Sequence, residues 1–586
     1  MLASFSPPSY TTGELIPMHS GPLTSVRSPL RYEASSIASC PPLPPPPGRL
    51  ASLLSPPPAP YALRLHASLP LVACLARLGG GGAASLEARV RQGYRAQLSL
   101  GGLPAAARRG KSYALGYPLG GVGEAGEAYV NNHLEFVVQV HETAGGGASV
   151  VGFEVAAASV RYSHARWPSP EATNLRPEEV GLKAEGGALT LTPSLEAIPF
   201  TYNVTWLSSP LPYARRWEQY VSLPEGASIH YLSLSGSLAT SLLLAAAVAA
   251  ILVRTLRRDL SRYDADDEWA DADGEAGWKY VHHDVLRPPP RPLLLASLLG
   301  AGVQLAAAAF ATAGLALLSY RVHSLAPLLF AAAALPAGLA AAWLYRQMHG
   351  RQLYSLTAAL AGTVPGLFLA FLFLLNTLLR AEGASPAVPS DSMLLLLSLW
   401  LCLDAPLVLL GVVLGSRAPR LADPVYTASI PRQVPYQPWY CRAWPSALLG
   451  GLLPFGCASI ELAVLFSCVW NQRIYFLFGF LLLMMLTTTL VCAEVGIGSC
   501  YFQLCREDYR WWWRSFNSTG FAGAYLFIYA LLYARSELQL PTFTACVLYY
   551  GYMAAAAIAF YLVTGTVGFL ASFAFVQTIY SSLKVD

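Results

Sequence analysis

From Tyr231 onward, apolar stretches long enough, or nearly so, to cross a bilayer recur nine times. They run over 231–253, 293–317, 324–345, 354–379, 392–415, 446–469, 474–499, 520–535 and 543–577. A helix needs about 20 residues to span the hydrocarbon core. Backbone amides in lipid must bond within their own segment, so such runs fold as helices. The eighth stretch is short and interrupted by Tyr529 and Tyr533. The ninth is long enough to tilt or to begin in a re-entrant turn. Composition agrees: 54% of the 586 residues are hydrophobic and 12% are charged, against about 25% charged in a typical soluble domain. A net charge of +4 argues against bulk nucleic-acid binding.

Nine spans put the termini on opposite sides, and charge selects the sides. The loop after the first stretch carries Arg254, Arg257, Arg258, Arg262, Lys279, Arg287 and Arg291, whereas the alternate loops carry only Arg321, Arg380, Arg473 and Arg535. Positive charge stays in the cytosol, so the region before the first span is expected in the lumen and the C-terminus in the cytosol. The sequon at Asn203 then lies on the glycosylatable side. A second, Asn517–Thr519, falls in a cytosolic loop and reads as a chance match.

Residues 90–228 read as a β-rich domain. His133–Glu142, Ser149–Ala157, Ala188–Ser194 and Phe200–Leu207 are β-branched and aromatic, with Gly, Pro and Asn clusters between them. An antiparallel sandwich is the expectation. Residues 1–89, rich in Pro, Ser and Ala, read as a disordered extension. Within them Leu69–Leu78 has the length of a signal-peptide apolar core but lies deep in the chain. A start codon set too far upstream and an unusual extension both fit. Cys40 and Cys74 alone precede the spans, which is no disulfide framework, and no CxxC pair suggests zinc.

The stretch CREDYRWWWRSF, Cys505–Phe516, sets Trp511, Trp512 and Trp513 between Arg510 and Arg514. Indoles at headgroup level with arginines on phosphates give an interfacial anchor. Glu461, Glu494 and Asp404 fall inside spans. A carboxylate there costs at least about 2.5 kcal/mol, so each should face the bundle and find a partner. Gln304 and Asn376 are available, as is protonation. An interhelical hydrogen bond and a functional polar site are both open. Gly362 with Gly366 and Gly411 with Gly415 form small-residue ridges that suit packing within the bundle, the alternative being recognition of another protein's glycine-rich span. Gly121–Gly126 matches GxGxxG without a following helix, so no dinucleotide site is expected. His282–Asp284 and the acidic run Asp264–Glu275 read as solvated loop. No P-loop, HExxH or GxSxG motif is present, so the chain reads as a non-enzyme with no cofactor and no metal.

Several stretches occur in an order that is similar to one family: Arg254–Glu268, Gly277–Pro289, Ile430–Tyr440, Cys500–Phe516, Tyr561–Phe569 and the terminal Ile579–Asp586. Together with Gly116–Gly123, Val150–Val155 and Ala214–Val221 they resemble the nonaspanins, the transmembrane 9 superfamily of endomembrane proteins, over roughly 94–586. Asp404 departs from that family's pattern. The resemblance implies a polytopic α-helical membrane protein with a lumenal β-sandwich-like domain (90–228), a nine-helix domain (229–580) and a cytosolic tail (581–586). It implies a Golgi and endosomal protein that sorts membrane proteins, recognising cargo with glycine-rich transmembrane helices. Lys584 and Asp586 resemble the family's Lys-X-Asp/Glu signal, which implies binding to the COPI coat. Phe575, Val576 and Tyr580 resemble an export signal. The alternative is a transporter or channel with buried glutamates lining its path.

Overall fold

The computed structural model describes residues 8–581 except 34–39, 42–58, 69, 79–81, 110–111, 143–146, 164–172, 194, 214, most of 217–276, 319–324, 383–386 and 471–476. The chain forms two compact units. One is Met1–Ser228 with Thr377–Ala387 and Glu537–Leu548; the other is Ile229–Asn376, Val388–Ser536 and Tyr549–Asp586.

The first unit is built on a six-stranded sheet: β1 (Leu71–Arg77), β2 (Ala106–Arg109), β3 (Ser112–Leu115), β4 (His133–Glu142), β5 (Ala148–Ala158) and β6 (Ala197–Ser208), in the order β1-β6-β4-β5-β2-β3. In β4, Leu134, Phe136, Val138 and Val140 alternate inward, the period of a strand with one buried face. Phe136 meets Tyr61, Phe153 and Tyr202 in an aromatic core. The Tyr202 hydroxyl donates to Asn174 Oδ1 at 2.6 Å, and burial pushes its pKa up to about 12, so it serves as a neutral donor.

The sheet corrects the antiparallel expectation. β4 pairs antiparallel with β5, but parallel with β6, and β5 pairs parallel with β2. The long connection from Ala158 to Ala197 lets β6 cross over and enter between β1 and β4, which a hairpin could not do.

The disordered extension is corrected as well. The signal-like run is β1, which pairs antiparallel with β6 and buries Val72, Ala73, Cys74 and Ala76. Leu15–Ile16 pairs with Leu63–Arg64, and Met18–Ser20 with Leu98–Leu100. Cys40 and Cys74 form a disulfide. An apolar run of seven residues is as good a buried strand as a short signal core, and periodicity cannot separate them. Most of the proline tract lies outside the described residues.

The second unit is helical, and apart from 377–381, 537 and 543–548 it holds α1 (Pro292–Leu318), α2 (Ala326–Gln347), α3 (Leu353–Ala381), α4 (Ser390–Arg417), α5 (Ala443–Trp470), α6 (Leu477–Cys505), α7 (Trp511–Gly520), α8 (Ala522–Glu537) and α9 (Phe543–Ser581). Among the described residues, six helices are long and apolar enough to cross a membrane: α1, α2, α3, α4, α6 and α9. The stretch expected at 231–253 lies partly outside the described residues. The sixth expected stretch is α5, a helix of 28 residues holding Pro454, and the eighth is α8, of 16 residues. The ninth is one unbroken helix of 39 residues, not a re-entrant turn.

Glycine seams join α2 to α4. A Cβ on Gly411 would strike the Leu335 carbonyl and stand 3.0 Å from the Gly338 Cα, and one on Gly415 would strike Leu339. That ridge therefore packs inside the bundle. Gly362 faces open space instead.

Two π-helical turns interrupt α3 and α4, at Gly362–Gly366 and Trp400–Asp404. Pro365 has no amide hydrogen, which frees the carbonyl four residues back at Ala361. The Trp400 indole Nε1–H donates to that carbonyl at 3.0 Å. A broken ladder in a span is tolerated where a neighbouring helix supplies the missing partner.

The disulfide closes a separation of 34 residues. Replacing both cysteines by serine is expected to destabilise the sheet unit by about 3–4 kcal/mol. Denaturant unfolding of the purified full-length protein measures this. Equal stability of the variant and the parent would mean that the bridge does not constrain the fold.

Candidate functional site

At one end of the helical unit, four separated loop segments close over the helix ends. They are 277–291, 425–442, 505–514 and the end of α9. Each coincides with one of the sequence motifs. Gly277 opens the first because a Cβ there would strike the Cys505 carbonyl at the end of α6. Trp278, Val281 and Val285 are buried against Trp511, Trp512, Phe569, Val576 and Tyr580.

The centre is Asp508, 0% exposed. Its Oδ1 accepts from the backbone N–H and the Nε of Arg510, both at 3.1 Å. Its Oδ2 lies 2.8 Å from the Arg514 guanidinium. Residues four apart share a helix face, so both arginines reach the one carboxylate. Arg514 also donates to the Cys441 carbonyl at 2.9 Å, which ties in the third segment.

Trp511 and Trp512 are buried and so are not a lipid anchor, while Trp513 is half-buried. Trp511 is 0% and Trp512 3% exposed; they stack at 4.4 Å, with Phe569 5.8 Å from Trp511. Trp511 Nε1 donates to the Val285 carbonyl at 2.8 Å, and Trp513 Nε1 to Pro290 at 2.7 Å. Three consecutive helical residues fan over about 200°, so they cannot all face one lipid surface. Burying an indole of about 200 Å² is worth about 5 kcal/mol, which favours the interior wherever the N–H finds a carbonyl. Arg510, its side chain 59% exposed, and Arg514 both meet Asp508.

The remaining segments are cross-linked by polar contacts. Arg287 pairs with Asp284 at 2.6 Å and donates to the Ala428 carbonyl. The Arg432 backbone N–H donates to Asp284 Oδ2 at 3.1 Å, and its guanidinium pairs with Glu507 at 2.8 Å. Asp284 is buried and His283 contacts the Tyr426 carbonyl, so the His282–Asp284 stretch is a structural knot and not solvated loop.

The tail candidates divide. Lys584 and Asp586 lie outside the described residues, as does the acidic run Asp264–Glu275. Val576 and Tyr580 are 0% exposed, and Tyr580 donates to the Trp278 carbonyl at 2.7 Å. With Phe575 half-buried beside them, they form a latch and not an accessible export signal. The second sequon is part of α7, with Ser518 and Thr519 buried and Asn517 accepting from Tyr561 at 2.6 Å. Asn203 lies in β6, half-buried, with its Oδ1 accepting from the Val204 N–H.

The intramembrane acids are not brought together as one site. Asp404, 2% exposed, accepts from Gln304 Nε2 at 2.6 Å. Asn376 is used by the Val388 backbone. Glu461 is buried and partnered, while Glu494 is half-buried on α6 with its Oε2 lacking a hydrogen bond. Among the described residues no group of three metal-ligating side chains occurs. Sequence reasoning missed Arg432 and Asp508, gave Asp284 to solvated loop and counted Arg287 only as loop charge, although all four lie within the quoted motifs.

A sheet-rich unit, followed among the described residues by six membrane-length helices, defines a polytopic membrane protein. The Endomembrane protein 70 family model matches residues 58–543. The chain is 38% identical to Transmembrane 9 superfamily member 9 of Arabidopsis thaliana, over 81% of this chain and 76% of that one. It is 35% identical to human member 4, over 80% of this chain and 74% of the relative, and 35% identical to human member 2, over 78% and 69%. The chain belongs to the transmembrane 9 superfamily, the Endomembrane protein 70 family. The match begins at residue 58, before β1, earlier than the motifs alone suggested. No solved structure gives a significant match.

Asp508→Ala leaves the Arg514 guanidinium without its carboxylate in a site where its side chain is 17% exposed. The expected loss is about 3–5 kcal/mol, read as a lowered thermal midpoint of the full-length protein in detergent. An unchanged midpoint would remove the ion pair from the account of the closed end.

Proposed function

We propose that this protein sorts membrane proteins in the Golgi and endosomes. It recognises cargo transmembrane helices laterally and is retained through COPI-coat binding of Lys584 and Asp586. Membership of an endomembrane family supports the setting. The observation that carries the tail reading is the Tyr580–Trp278 latch. A coat-read address works at a set distance from the membrane surface. Lys584 follows the latched tyrosine by four residues, at most about 14 Å of extended chain. The closed end of the bundle then faces the cytosol, the sheet unit faces the lumen, and the chain makes nine crossings.

Lateral recognition is supported by α3 and α4. Only 17% and 11% of their most apolar windows are buried, against 50% in α1. Leu367, Phe373, Leu394 and Leu395 point outward, and Gly362 leaves room for a close-packed partner helix. The interfacial role first given to the tryptophan triplet passes to Tyr436, Trp439 and Trp444, which are exposed beside Arg442. In this topology Asn203 is the glycan acceptor. The half-buried Glu494 favours a second reading, a transporter with acids along its path.

The test compares the protein, tagged in the sheet unit so that Asp586 stays free, with a Lys584→Ser, Asp586→Ser variant. Wild type in the Golgi and variant at the plasma membrane or a degradative compartment is expected. Identical distributions would remove the tail from the retention mechanism.

A further inference from the structure

A buried side-chain pair in the helical unit, Gln304–Asp404, joins two helices away from the closed end. Gln304 on α1 is 1% exposed and Asp404, at the end of the π-helical turn in α4, is 2% exposed. The Gln304 amide nitrogen uses both its hydrogens: one goes to Asp404 Oδ1 at 2.6 Å and the other to the Phe330 carbonyl in α2 at 3.3 Å. These two acceptors fix which end of the amide is nitrogen. Two buried oxygens then remain without a hydrogen bond among the described residues, Gln304 Oε1 and Asp404 Oδ2. Both are acceptors, and neither has a donor among those residues.

One proton resolves both. A hydrogen on Asp404 Oδ2 makes it a donor, and Gln304 Oε1 is the acceptor that needs one. The acid and the amide then close a ring of two hydrogen bonds, N–H to Oδ1 and O–H to Oε1, with every polar atom of the pair satisfied. We propose that Asp404 carries a proton donated to Gln304, so that this pair is a proton-binding site inside the membrane and a neutral staple joining α1, α2 and α4.

The surroundings agree. α1 carries no charged residue, nor does the Ala326–Ala332 part of α2 that packs on the π-helical turn. On α4 the charged groups are Asp391 and Arg417, thirteen residues to either side, about 20 Å along a helix. α3, which meets the turn through Trp400, has Arg380 near its far end and the exposed Tyr354. Cys402 on the same turn is exposed. No cation among these compensates an ionised Asp404, and an uncompensated buried carboxylate is far costlier than a neutral acid with both oxygens bonded.

The site also sits where the backbone can respond. The same five-residue turn presents Trp400 to the freed Ala361 carbonyl at one end and Asp404 to Gln304 at the other. Loss of the proton would open the ring and leave a buried charge on a segment already out of α-helical register, and π-helical turns concentrate at functional positions.

The test uses the full-length protein in lipid nanodiscs, with carbon-13 aspartate and infrared spectroscopy at neutral pH. The expected result is a protonated carboxylic-acid C=O stretch in the wild type that is missing from Asp404→Asn. That variant replaces the acid with an amide able to close the same ring, so its thermal midpoint should stay within a few degrees of wild type. Gln304→Leu should lower the midpoint and shift the stretch towards that of an unbonded acid. Carboxylate bands alone in the wild type would overturn the proposal, because Asp404 would then be ionised beside a water or a cation. A sodium-dependent rise in midpoint that Asp404→Asn abolishes would overturn it too.

Discussion

The closed end of the helical unit depends on one buried carboxylate. Asp508 has no exposed surface, and its two oxygens hold Arg510 and Arg514 on one side of α7. Fixing α7 aims Trp511 at the Val285 carbonyl and packs Trp512 beside Phe569 and Phe573. The same packing receives Trp278, whose own carbonyl takes the Tyr580 hydroxyl. Helix ends carry unpaired carbonyls and amides, and where they are covered by protein these groups must be met by loops. Four segments far apart in the chain meet that demand together. This accounts for the dense polar and aromatic motifs in loops, which ordinarily tolerate change.

Within the bundle the rule is the same, with scarcer partners. Lipid offers no hydrogen bonds, so each irregularity is answered by a neighbouring helix. Pro365 frees a carbonyl and Trp400 takes it. Asn376 is spent on both backbone groups of Val388. Gln304 donates to Asp404 across the helices. The three intramembrane acids stand apart: Asp404 is bonded across helices to Gln304, Glu461 is buried and partnered, and Glu494 keeps one oxygen without a hydrogen bond among the described residues. Close packing elsewhere rests on glycine, as where Gly338 meets Gly411.

How legible this was in the sequence depended on which signal each element carried. Long apolar runs name membrane helices whatever their neighbours do, and α1 to α4 follow their expected limits closely. The alternation in His133–Glu142 named β4 for the same reason. Strand order was not legible, because whether β6 pairs with β5 or crosses to β4 is decided by contacts far apart in the chain. The N-terminal strands were hidden by composition: proline and serine around Leu71–Arg77 read as disorder, and an apolar seven-mer does not say whether it is a strand. In the closed end the residues were visible and their partners were not. Asp508 stood two residues before Arg510 in the quoted motif, and the two arginines at i and i+4 already implied one shared acceptor. The tryptophan triplet was given to lipid because indoles and arginines suit headgroups equally well. The deciding facts, the Val285 carbonyl and Phe569, are more than 50 residues away in sequence.

The central claim is that Trp511 and Trp512 are interior and close the bundle. Its most direct test replaces Trp512 with a photoreactive benzoyl-phenylalanine in the membrane-embedded protein and maps the cross-link by mass spectrometry. The account predicts a link within the chain, from the segment at 512 to α9 around Phe569 and Phe573. Label recovered mainly on lipid would contradict it and return the triplet to the membrane surface.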